Sequence, residues 1–460
     1  MSLKLTHELV AQYQEQVETD PNSCLAMNAC WKVDPLEMCI RRSKVIETNH
    51  IFTHKVENEG RPVTNQKSSG RCWIFACLNV MRLPFIKQYN LDEFEFSQSY
   101  LFFWDKIERC NYFLNKMVEC AKRGEEVQGR LVSFLLHDPT SDGGQWDMLV
   151  NLITRYGVMP KKCFPESYSA ENSMRMNRIL QSKLREYTRE LRTIINKGGD
   201  ESAITETLTR QMSEIYRVVA ICLGIPPTNF MWEYYDKSKA YHKVGPLTPL
   251  EFYNEHVKSV YNVEDKVCLV TDPRPDNSYS KAYTVDCLGN MVGGRKTIYN
   301  NQPVELLMNL CSESLKNGEA VWFGCEVGKR FAGKLGIQDL DIHDYKSAFG
   351  IEVNLGLSKA DRLIYGESLM THAMTFTAVT VNESGTPEKW RVENSWGEDR
   401  GEKGYLIMTS DWFREFVFEV VVDKKYVPEE VLAVFTQEPV VLPAWDPMGA
   451  LARENKTSKL

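Results

Sequence analysis

The clearest alternation of apolar and polar positions runs from residue 174 to residue 220. Apolar side chains recur there at steps of three or four residues, which is the period of an amphipathic helix. The first series is Met176, Leu180, Leu184, Tyr187, Leu191 and Ile195. The polar segment 197–200 interrupts the pattern, which resumes at Ile204, Leu208, Met212, Ile215 and Val219. We therefore predict a helical hairpin.

The chain differs in pattern on the two sides of this hairpin. Residues 5–54 show shorter helical patterns that break near Pro21 and Pro35, and they predict an arm of short helices packed on the body of the protein. Prolines at every fourth position from Pro439 to Pro447 predict an extended C-terminal arm rather than another packed element. After residue 245, short continuous apolar runs indicate strands at 267–270, 320–323, 374–379, 405–408 and 418–422.

Another helix is predicted from Cys72 to Leu83, and it follows a Ser-Ser-Gly turn that places Cys72 in its first turn. A thiol attacks a carbonyl as the thiolate, so its pKa must fall from about 8.5. A helix N-terminus and a neighbouring imidazolium both favour this anion. We expect His372 to accept the thiol proton and Asn394 to hold the other ring nitrogen. Gln66 is expected to bind the developing oxyanion beside the Cys72 N–H.

Each of these residues also has a structural interpretation. A lone cysteine on an apolar helix is usually inert core, and the chain has 13 cysteines. A lone histidine among alternating small and apolar residues is more often a buried strand residue. Glutamine, cysteine, histidine and asparagine nevertheless occur in this order, each within its own sequence frame. This coincidence favours a thiol hydrolase.

Three further residues have two open interpretations each. Trp396, two residues after Asn394, is expected to shield the Asn–His hydrogen bond from water; plain core packing is the structural alternative, and the two are compatible. Gly143 and Gly144 suit a strand that binds substrate backbone, and they also suit a turn that caps the helix predicted after Trp146.

The frames around the four catalytic candidates resemble those of papain-like cysteine peptidases. The cysteine and the histidine lie 300 residues apart, against about 130–150 in papain relatives, so extra material separates the two halves of the site. Secreted papain relatives usually carry a disulfide-forming cysteine three residues before the nucleophile, and Ser69 stands there in this chain. From about residue 20 to 452 the sequence is similar to the bleomycin hydrolase family, most specifically at 70–75, 95–101, 142–146 and 443–452.

This resemblance implies an α+β class and a papain-like cysteine peptidase fold with an N-terminal helical arm, a helical hairpin insertion and a C-terminal arm. It also implies an aminopeptidase that hydrolyses peptides and the carboxamide of bleomycin through a thioester, assembles as a homohexamer, and binds substrate at Gly143 and Gly144. In the family the C-terminal arm lies in the cleft, and its carboxylate restricts cleavage to the amino end. A papain-type endopeptidase and a nucleic-acid-binding or scaffold role are the alternatives.

Five segments are expected on this basis. They are an N-terminal helical arm (1–60), a papain-like half with the nucleophile (61–165), a helical insertion (166–244), a β-rich half with His and Asn (245–435), and a C-terminal arm (436–460). Family members end near the position of Ala452, whereas this chain continues to Leu460. We expect the enzyme to trim its own tail back toward Ala452.

Composition limits the compartment and the partners. The chain is 43% hydrophobic and 25% charged, as in ordinary soluble proteins, and no run approaches the 18 or more apolar residues of a membrane helix. A secretory signal is not recognisable, and the scattered, odd-numbered cysteines favour free thiols in a reducing compartment. We expect a cytoplasmic enzyme, although the final Ser458–Leu460 also matches a peroxisomal address.

Charge and histidine spacing argue against two other functions. The net charge of −7 argues weakly against a general nucleic-acid role, which would require dispersed lysines to gather on one face. His50 and His54 lie four residues apart but have no Cys or acidic partners at ligand spacing. No metal site and no cofactor are predicted.

Overall fold

The computed structural model describes residues 2–353 and 355–449. The chain begins with short helices and a short strand, namely α1 (His7–Thr19), α2 (Pro21–Cys30), α3 (Pro35–Met38), α4 (Arg42–Glu47) and β1 (His54–Lys55). Pro21 and Pro35 each occupy the first turn of a new helix, where a missing N–H costs nothing. Asp20 and Asp34 cap these helices. The two predicted breaks are therefore helix starts.

Packing of this arm on the body is only partly as expected. Neither α1 nor α2 buries a residue, and Val10, Tyr13 and Val17 are exposed. Cys39 is buried, and its carbonyl accepts a 2.7 Å hydrogen bond from the Asp344 N–H. Helix α2 nevertheless packs against the helix Tyr345–Phe349 of the body, whereas α1 packs mainly on α2. The expectation is therefore confirmed for α2 and from Cys39 onward, where backbone pairing joins arm and body, but not for α1.

The next part of the chain is helical and built around one buried helix. Its helices are α5 (Cys72–Gln88), α6 (Gln98–Lys122), α7 (Arg130–His137) and α8 (Trp146–Tyr156). The predicted helix from Cys72 to Leu83 is confirmed as the first part of α5. Nearly every residue of α5 is buried, including polar Asn79 and Arg82, so this helix lies in the middle of the core.

The predicted hairpin is confirmed. After α9 (Tyr168–Glu171) come α10 (Met174–Asn196) and α11 (Glu201–Leu223), and both long helices pack on α6. Leu180, Leu184 and Leu191 are fully buried on one face of α10. Asp200 caps α11 by accepting a hydrogen bond from the Ala203 N–H. A small antiparallel ribbon follows, formed by β2 (Phe230–Tyr235) and β3 (Tyr241–Leu247).

The remaining chain supplies most of a large sheet. Its elements in order are α12 (Pro249–Phe252), β4 (Lys266–Val270), β5 (Lys281–Val285), β6 (Tyr299–Asn301), α13 (Val304–Lys316), β7 (Val321–Cys325), β8 (Phe331–Ala332), β9 (Ile337–Gln338), α14 (Tyr345–Phe349), α15 (Lys359–Ile364), β10 (His372–Val381), β11 (Pro387–Glu393), β12 (Tyr405–Thr409), α16 (Ser410–Phe416), β13 (Val417–Asp423), α17 (Glu429–Leu432) and β14 (Val440–Leu442). All five predicted strand regions are confirmed. Single turns of 3₁₀ or π-helix lie at Lys161–Cys163, Tyr253–Val257, Val263–Asp265, Lys424–Tyr426, Ala433–Thr436 and Pro447–Gly449.

Within the described residues the sheet has twelve strands in the order β14-β5-β6-β4-β13-β7-β10-β11-β12-β9-β8, with β1 added to β10. Its central strands are covered on both faces, by α5 on one side and α13 on the other. Trp322 belongs to the core around α5, whereas its neighbour Phe323 belongs to the core around α13. Because both faces are buried, these strands are continuous apolar runs.

The end of the described chain is packed, contrary to expectation. Val440–Leu442 forms an edge strand parallel to β5. Asp446 forms a 2.8 Å ion pair with Arg274, and Met448 is buried. An edge strand tolerates flanking prolines because it pairs on one side only. The unpacked arm is therefore wrong up to residue 449, and the rest of the predicted arm lies outside the described residues. The division into five segments stays a prediction.

Candidate active site

The four catalytic candidates come from separate elements that meet around α5 and β10. Cys72 is the first residue of α5, His372 is the first residue of β10, and Asn394 follows the last residue of β11. Gln66 lies in the loop that precedes α5. Since α5 packs on β10 and β10 pairs with β11, the fold brings the distant sequence segments together. All four side chains are buried.

His372 and Asn394 are joined by a hydrogen bond that determines which ring nitrogen carries a proton. The distance from Nε2 of His372 to Oδ1 of Asn394 is 2.9 Å. The same Oδ1 accepts a 2.8 Å bond from the Ser395 N–H, which identifies it as the oxygen end of the amide. Nε2 is therefore the donor, and Nδ1 of His372 is left as the nitrogen that accepts a proton.

Trp396 covers the imidazole ring. The ring centroids of Trp396 and His372 lie 4.9 Å apart, and Trp396 also contacts Phe331 at 6.3 Å. Trp396 is half-buried, with one side against the histidine. Both interpretations of this tryptophan fit the contacts, since the ring packs on an apolar neighbour and limits access of water to His372.

The carboxamide of Gln66 is held at both ends. Its Nε2 donates a 2.7 Å hydrogen bond to the Ser69 carbonyl, and its Oε1 accepts a 2.7 Å bond from the Ser395 hydroxyl. The Gln66 N–H also donates to the Ser395 carbonyl at 2.8 Å. One N–H of the amide stays available for a ligand. Sequence reasoning assigned no role to Ser395, although this residue lies in the same frame as Asn394.

Burial controls the protonation of the pair. It raises the pKa of the Cys72 thiol to about 11, although the N–H groups of Ala373 and Trp73 lower it. It lowers the pKa of His372 to about 4, although the bond to Asn394 raises it. The thiol pKa is thus raised rather than lowered as expected, because loss of water outweighs the helix N–H groups. At neutral pH the resting pair carries no net charge.

Gly143 and Gly144 lie in an extended loop, and Gln145 is the N-cap of α8. A Cβ at Gly144 would lie 2.8 Å from the Trp73 ring, so only glycine allows this close approach. Both glycines line a cavity of about 680 Å³ whose walls also include Leu369, Ala444 and Gly449. The two interpretations of the glycines are therefore compatible, because the loop leads into a helix and also borders a cavity.

Two buried charged residues beside the cysteine were missed by sequence reasoning. Arg71 directly precedes Cys72 and pairs with Glu166 at 2.8 Å, and Asp142 directly precedes Gly143 and pairs with Lys106 at 2.6 Å. Their partners are distant in sequence, so no local pattern identified them.

Among the residues described, no group of three or more His, Cys, Asp or Glu side chains is arranged to hold a metal ion. In the same ranges no helix is long and apolar enough to cross a membrane.

Comparison with known proteins agrees with this geometry. Residues 4–449 match the model of the Peptidase C1-like family. Bleomycin hydrolase of Mus musculus is 60% identical over 97% of this chain and 99% of that protein, and the Gallus gallus enzyme is 59% identical over 98% and 99%. Aminopeptidase C of Lactococcus lactis subsp. lactis (strain IL1403) is 43% identical over 85% of this chain and 87% of its own length.

A solved structure extends the similarity to the fold. The crystal structure of PepW from Lactobacillus rhamnosis HN001 matches with a TM-score of 0.93 and 40% identity, and it covers 98% of this chain and 100% of that chain. The predicted papain-like α+β fold and the resemblance to bleomycin hydrolases are confirmed. The chain therefore belongs to the Peptidase C1-like family and is a cysteine peptidase.

Proposed function

We propose that the chain is a cysteine aminopeptidase in which Cys72 is the nucleophile and His372 is the base. Nδ1 of His372 takes the thiol proton as Sγ attacks the substrate carbonyl carbon. Asn394 holds Nε2, so the ring keeps the tautomer and orientation that the transfer needs. The 2.9 Å His372–Asn394 bond supports this assignment. Proton transfer inside the pair leaves its net charge unchanged and therefore suits a buried site.

The oxyanion is bound by Gln66 and by the backbone of the nucleophile. Cys72 is the first helical residue, so its N–H has no partner within the helix. The remaining Nε2–H of Gln66 supplies the second donor. Ser69 and Ser395 support this role because they hold the amide in place before charge develops, which is how preorganised donors lower a barrier.

The reaction then proceeds through a thioester. His372 gives its proton to the leaving amine, the C–N bond breaks, and the acyl group stays on Sγ of Cys72. His372 next takes a proton from water, whose oxygen attacks the thioester carbon. Collapse of this second tetrahedral intermediate breaks the C–S bond and releases the acid, and His372 returns the proton to sulfur. Trp396 keeps the imidazole sheltered from bulk water.

One observation carries the restriction to amino ends. Gly449, near the end of the described chain, lines the same cavity as Gly143 and Gly144, which we propose bind the substrate backbone. On this proposal, an arm beside the two glycines limits the number of substrate residues that can lie before the scissile bond. Relatives named aminopeptidase C and bleomycin hydrolase support this specificity and, for the latter, hydrolysis of the bleomycin carboxamide. The proposed carboxylate anchor lies outside the described residues.

The specificity is tested with matched peptides that differ only in a free or acetylated amino terminus. An aminopeptidase releases the first residue of the free peptide and leaves the acetylated peptide intact. Internal cleavage of both peptides would favour the papain-type endopeptidase instead. A nucleic-acid-binding or scaffold role would persist in Cys72→Ala, which is catalytically dead, so binding assays on this variant distinguish it.

Processing of the tail is tested by intact-mass measurement of the wild type and of Cys72→Ala. Trimming by the enzyme itself predicts a wild type shortened toward Ala452 and a variant that still ends at Leu460. If both retain Leu460 while the wild type is a strict aminopeptidase, a carboxylate at the position of Ala452 is not what restricts cleavage.

We also propose a homohexamer in the cytoplasm. Exposed apolar side chains on the first helix and around the end of the hairpin support subunit contacts, namely Val10, Tyr13, Val17, Ile221 and Ile225. Sedimentation velocity tests this assembly, which has about six times the chain mass of 53.0 kDa. Localisation of the full chain and of a chain lacking Ser458–Leu460 distinguishes the cytoplasm from the peroxisome.

A further inference from the structure

Two loops flank the first turn of α5. Residues 66–71 precede the nucleophile and include Gln66, and residues 140–145 carry the two glycines of the cavity wall. We propose that segment 166–177, at the start of the helical hairpin, is a clamp that sets the positions of both loops. Arg71 and Asp142 are then positioning residues for the peptidase reaction, and the hairpin is part of the support of the site.

The first attachment passes through Arg71, whose side chain is fully buried. Nη1 of Arg71 donates to both carboxylate oxygens of Glu166, at 3.1 and 2.8 Å. Nε of Arg71 donates to the Ser69 hydroxyl at 2.9 Å, and that hydroxyl donates to the Gln66 carbonyl at 2.6 Å. Ser69 also accepts from the Gln66 amide through its carbonyl. A continuous chain of bonds thus runs from Glu166 to the proposed oxyanion donor.

The backbone strengthens this first attachment. The Ser68 N–H donates a 2.9 Å hydrogen bond to the Glu171 carbonyl, and Ser68 forms a parallel bridge with Asn172. The guanidinium of Arg71 also lies over the rings of Phe75 and Phe102, at 5.1 and 5.2 Å. The loop is therefore held by main chain as well as by charge.

The second attachment passes through Asp142. Its carboxylate accepts hydrogen bonds from the Ser173 hydroxyl and from Nδ2 of Asn177, the latter at 2.8 Å. It also pairs with the buried Lys106 at 2.6 Å and accepts from the Gly70 N–H at 3.3 Å. One carboxylate thus joins the hairpin, the glycine loop and the loop before Cys72.

One of these contacts is made at the sequence position where secreted papain relatives carry a disulfide-forming cysteine. Ser69 stands at the position of the disulfide-forming cysteine and instead receives the Arg71 bond. Arg71, Lys106 and Asp142 are almost completely buried and Glu166 is partly buried. Such pairs hold their geometry because an unpaired buried charge is costly. Segment 166–177 therefore holds the loop before Cys72 by hydrogen bonds and ion pairs, which do not depend on oxidation as a disulfide does.

The two attachments predict different kinetic effects. Glu166→Gln weakens the hold on Arg71 and hence on Gln66, so kcat should fall about tenfold with little change in KM. Alkylation of Cys72 by iodoacetamide should keep its rate, because alkylation forms no oxyanion. The double variant Ser173→Ala/Asn177→Ala loosens the glycine loop, so KM should rise about tenfold with kcat nearly unchanged.

The matched control is Glu201→Gln, which removes an exposed 2.6 Å ion pair between the hairpin and Lys122 of α6. It should leave kcat, KM and alkylation at wild-type values. Thermal melting is measured for all variants, and alkylation reports on Cys72 even if the chosen peptides are not cleaved.

Wild-type kcat and KM in both test variants, with only a lower melting temperature, would overturn the proposal. Parallel losses of kcat and alkylation in Glu166→Gln would also overturn it, since they indicate general loosening. If Glu166→Gln does not fold, the test rests on Ser173→Ala/Asn177→Ala, which leaves no buried charge without its ionic partner and should therefore fold. An unchanged KM in this double variant would reject the proposed clamp.

Discussion

The hydroxyl of Ser395 donates a 2.7 Å hydrogen bond to Oε1 of Gln66 and so fixes the orientation of this amide. The residue after the base-orienting Asn394 therefore also orients the proposed oxyanion donor. Residues 394 and 395, in the turn after β11, thus orient two groups: the imidazole that becomes positively charged in the reaction and the amide that binds the negatively charged oxygen.

Ser395→Ala should lower kcat about tenfold and change KM little, because Gln66 loses one of the two bonds that hold its amide. Steady-state kinetics on a free-amine peptide checks this. Ser384→Ala, in an exposed turn, is the control and should behave as wild type. A normal kcat in Ser395→Ala would mean that the Ser69 carbonyl alone suffices to hold Gln66.

Gln66→Ala should reduce turnover by about 10²–10³-fold, the usual loss for one oxyanion donor. The effect should appear in kcat, since the bond is made mainly to charge that exists in the transition state. The rate of Cys72 alkylation serves as the control and should be retained. Unchanged turnover would show that other donors bind the oxyanion.

Asn394→Ala should lower kcat more than it weakens substrate binding, because the His372 ring loses its fixed acceptor. The hydrogen bond that Nε2 of His372 donates to Asn394 raises the pKa of His372, so its loss should move the acid limb of the pH–rate profile to lower pH. Profiles of kcat/KM for wild type and variant check the direction. A shift to higher pH would contradict the present assignment of the bond.

Alkylation of Cys72 should be nearly independent of pH through the neutral range. The pKa of His372 lies at about 4 and that of Cys72 at about 11, so the pair is net neutral between these values. Below about pH 4 the imidazole is protonated and no longer accepts the thiol proton, so the rate should fall. The alkylation rate is measured at each pH by quenching the reaction at set times and determining the intact mass. The Cys72→Ala variant gives the background from the other cysteines. A fall in the alkylation rate near pH 6.5 would contradict the lowered pKa of His372 and would indicate that water reaches its ring.

Arg82→Met should destabilise the fold by about 3–5 kcal/mol, because it leaves Glu393 buried and unpaired. Arg82 on α5 pairs with Glu393 on β11 at 2.6 Å, and both are almost fully buried. Urea unfolding of a catalytically dead Cys72→Ala background avoids self-digestion. The added substitution Glu393→Leu should recover part of the loss. A loss below 1 kcal/mol would mean that water enters the vacated space.

The periodicity of apolar residues was sufficient to predict the helices and strands whose pattern is set by residues close together in the sequence. The steps of the Met176–Ile195 series predicted α10, because a helix places residues three and four apart on one face. The apolar runs predicted the central strands, because both of their faces are buried. The sequence motifs around Cys72, His372 and Asn394 were sufficient to predict the nucleophile, the base and the residue that orients the base, because each motif spans only a few consecutive residues.

Only the tertiary structure revealed how these groups are held. Nothing near Arg71 indicates Glu166, and nothing near Asp142 indicates Lys106, because each pair forms between elements that are distant in sequence. The packed β14 was missed for the same reason, since its partner strand β5 lies far upstream. The raised thiol pKa depends on how completely the fold removes Cys72 from water, and burial of that kind is a property of all the surrounding elements together.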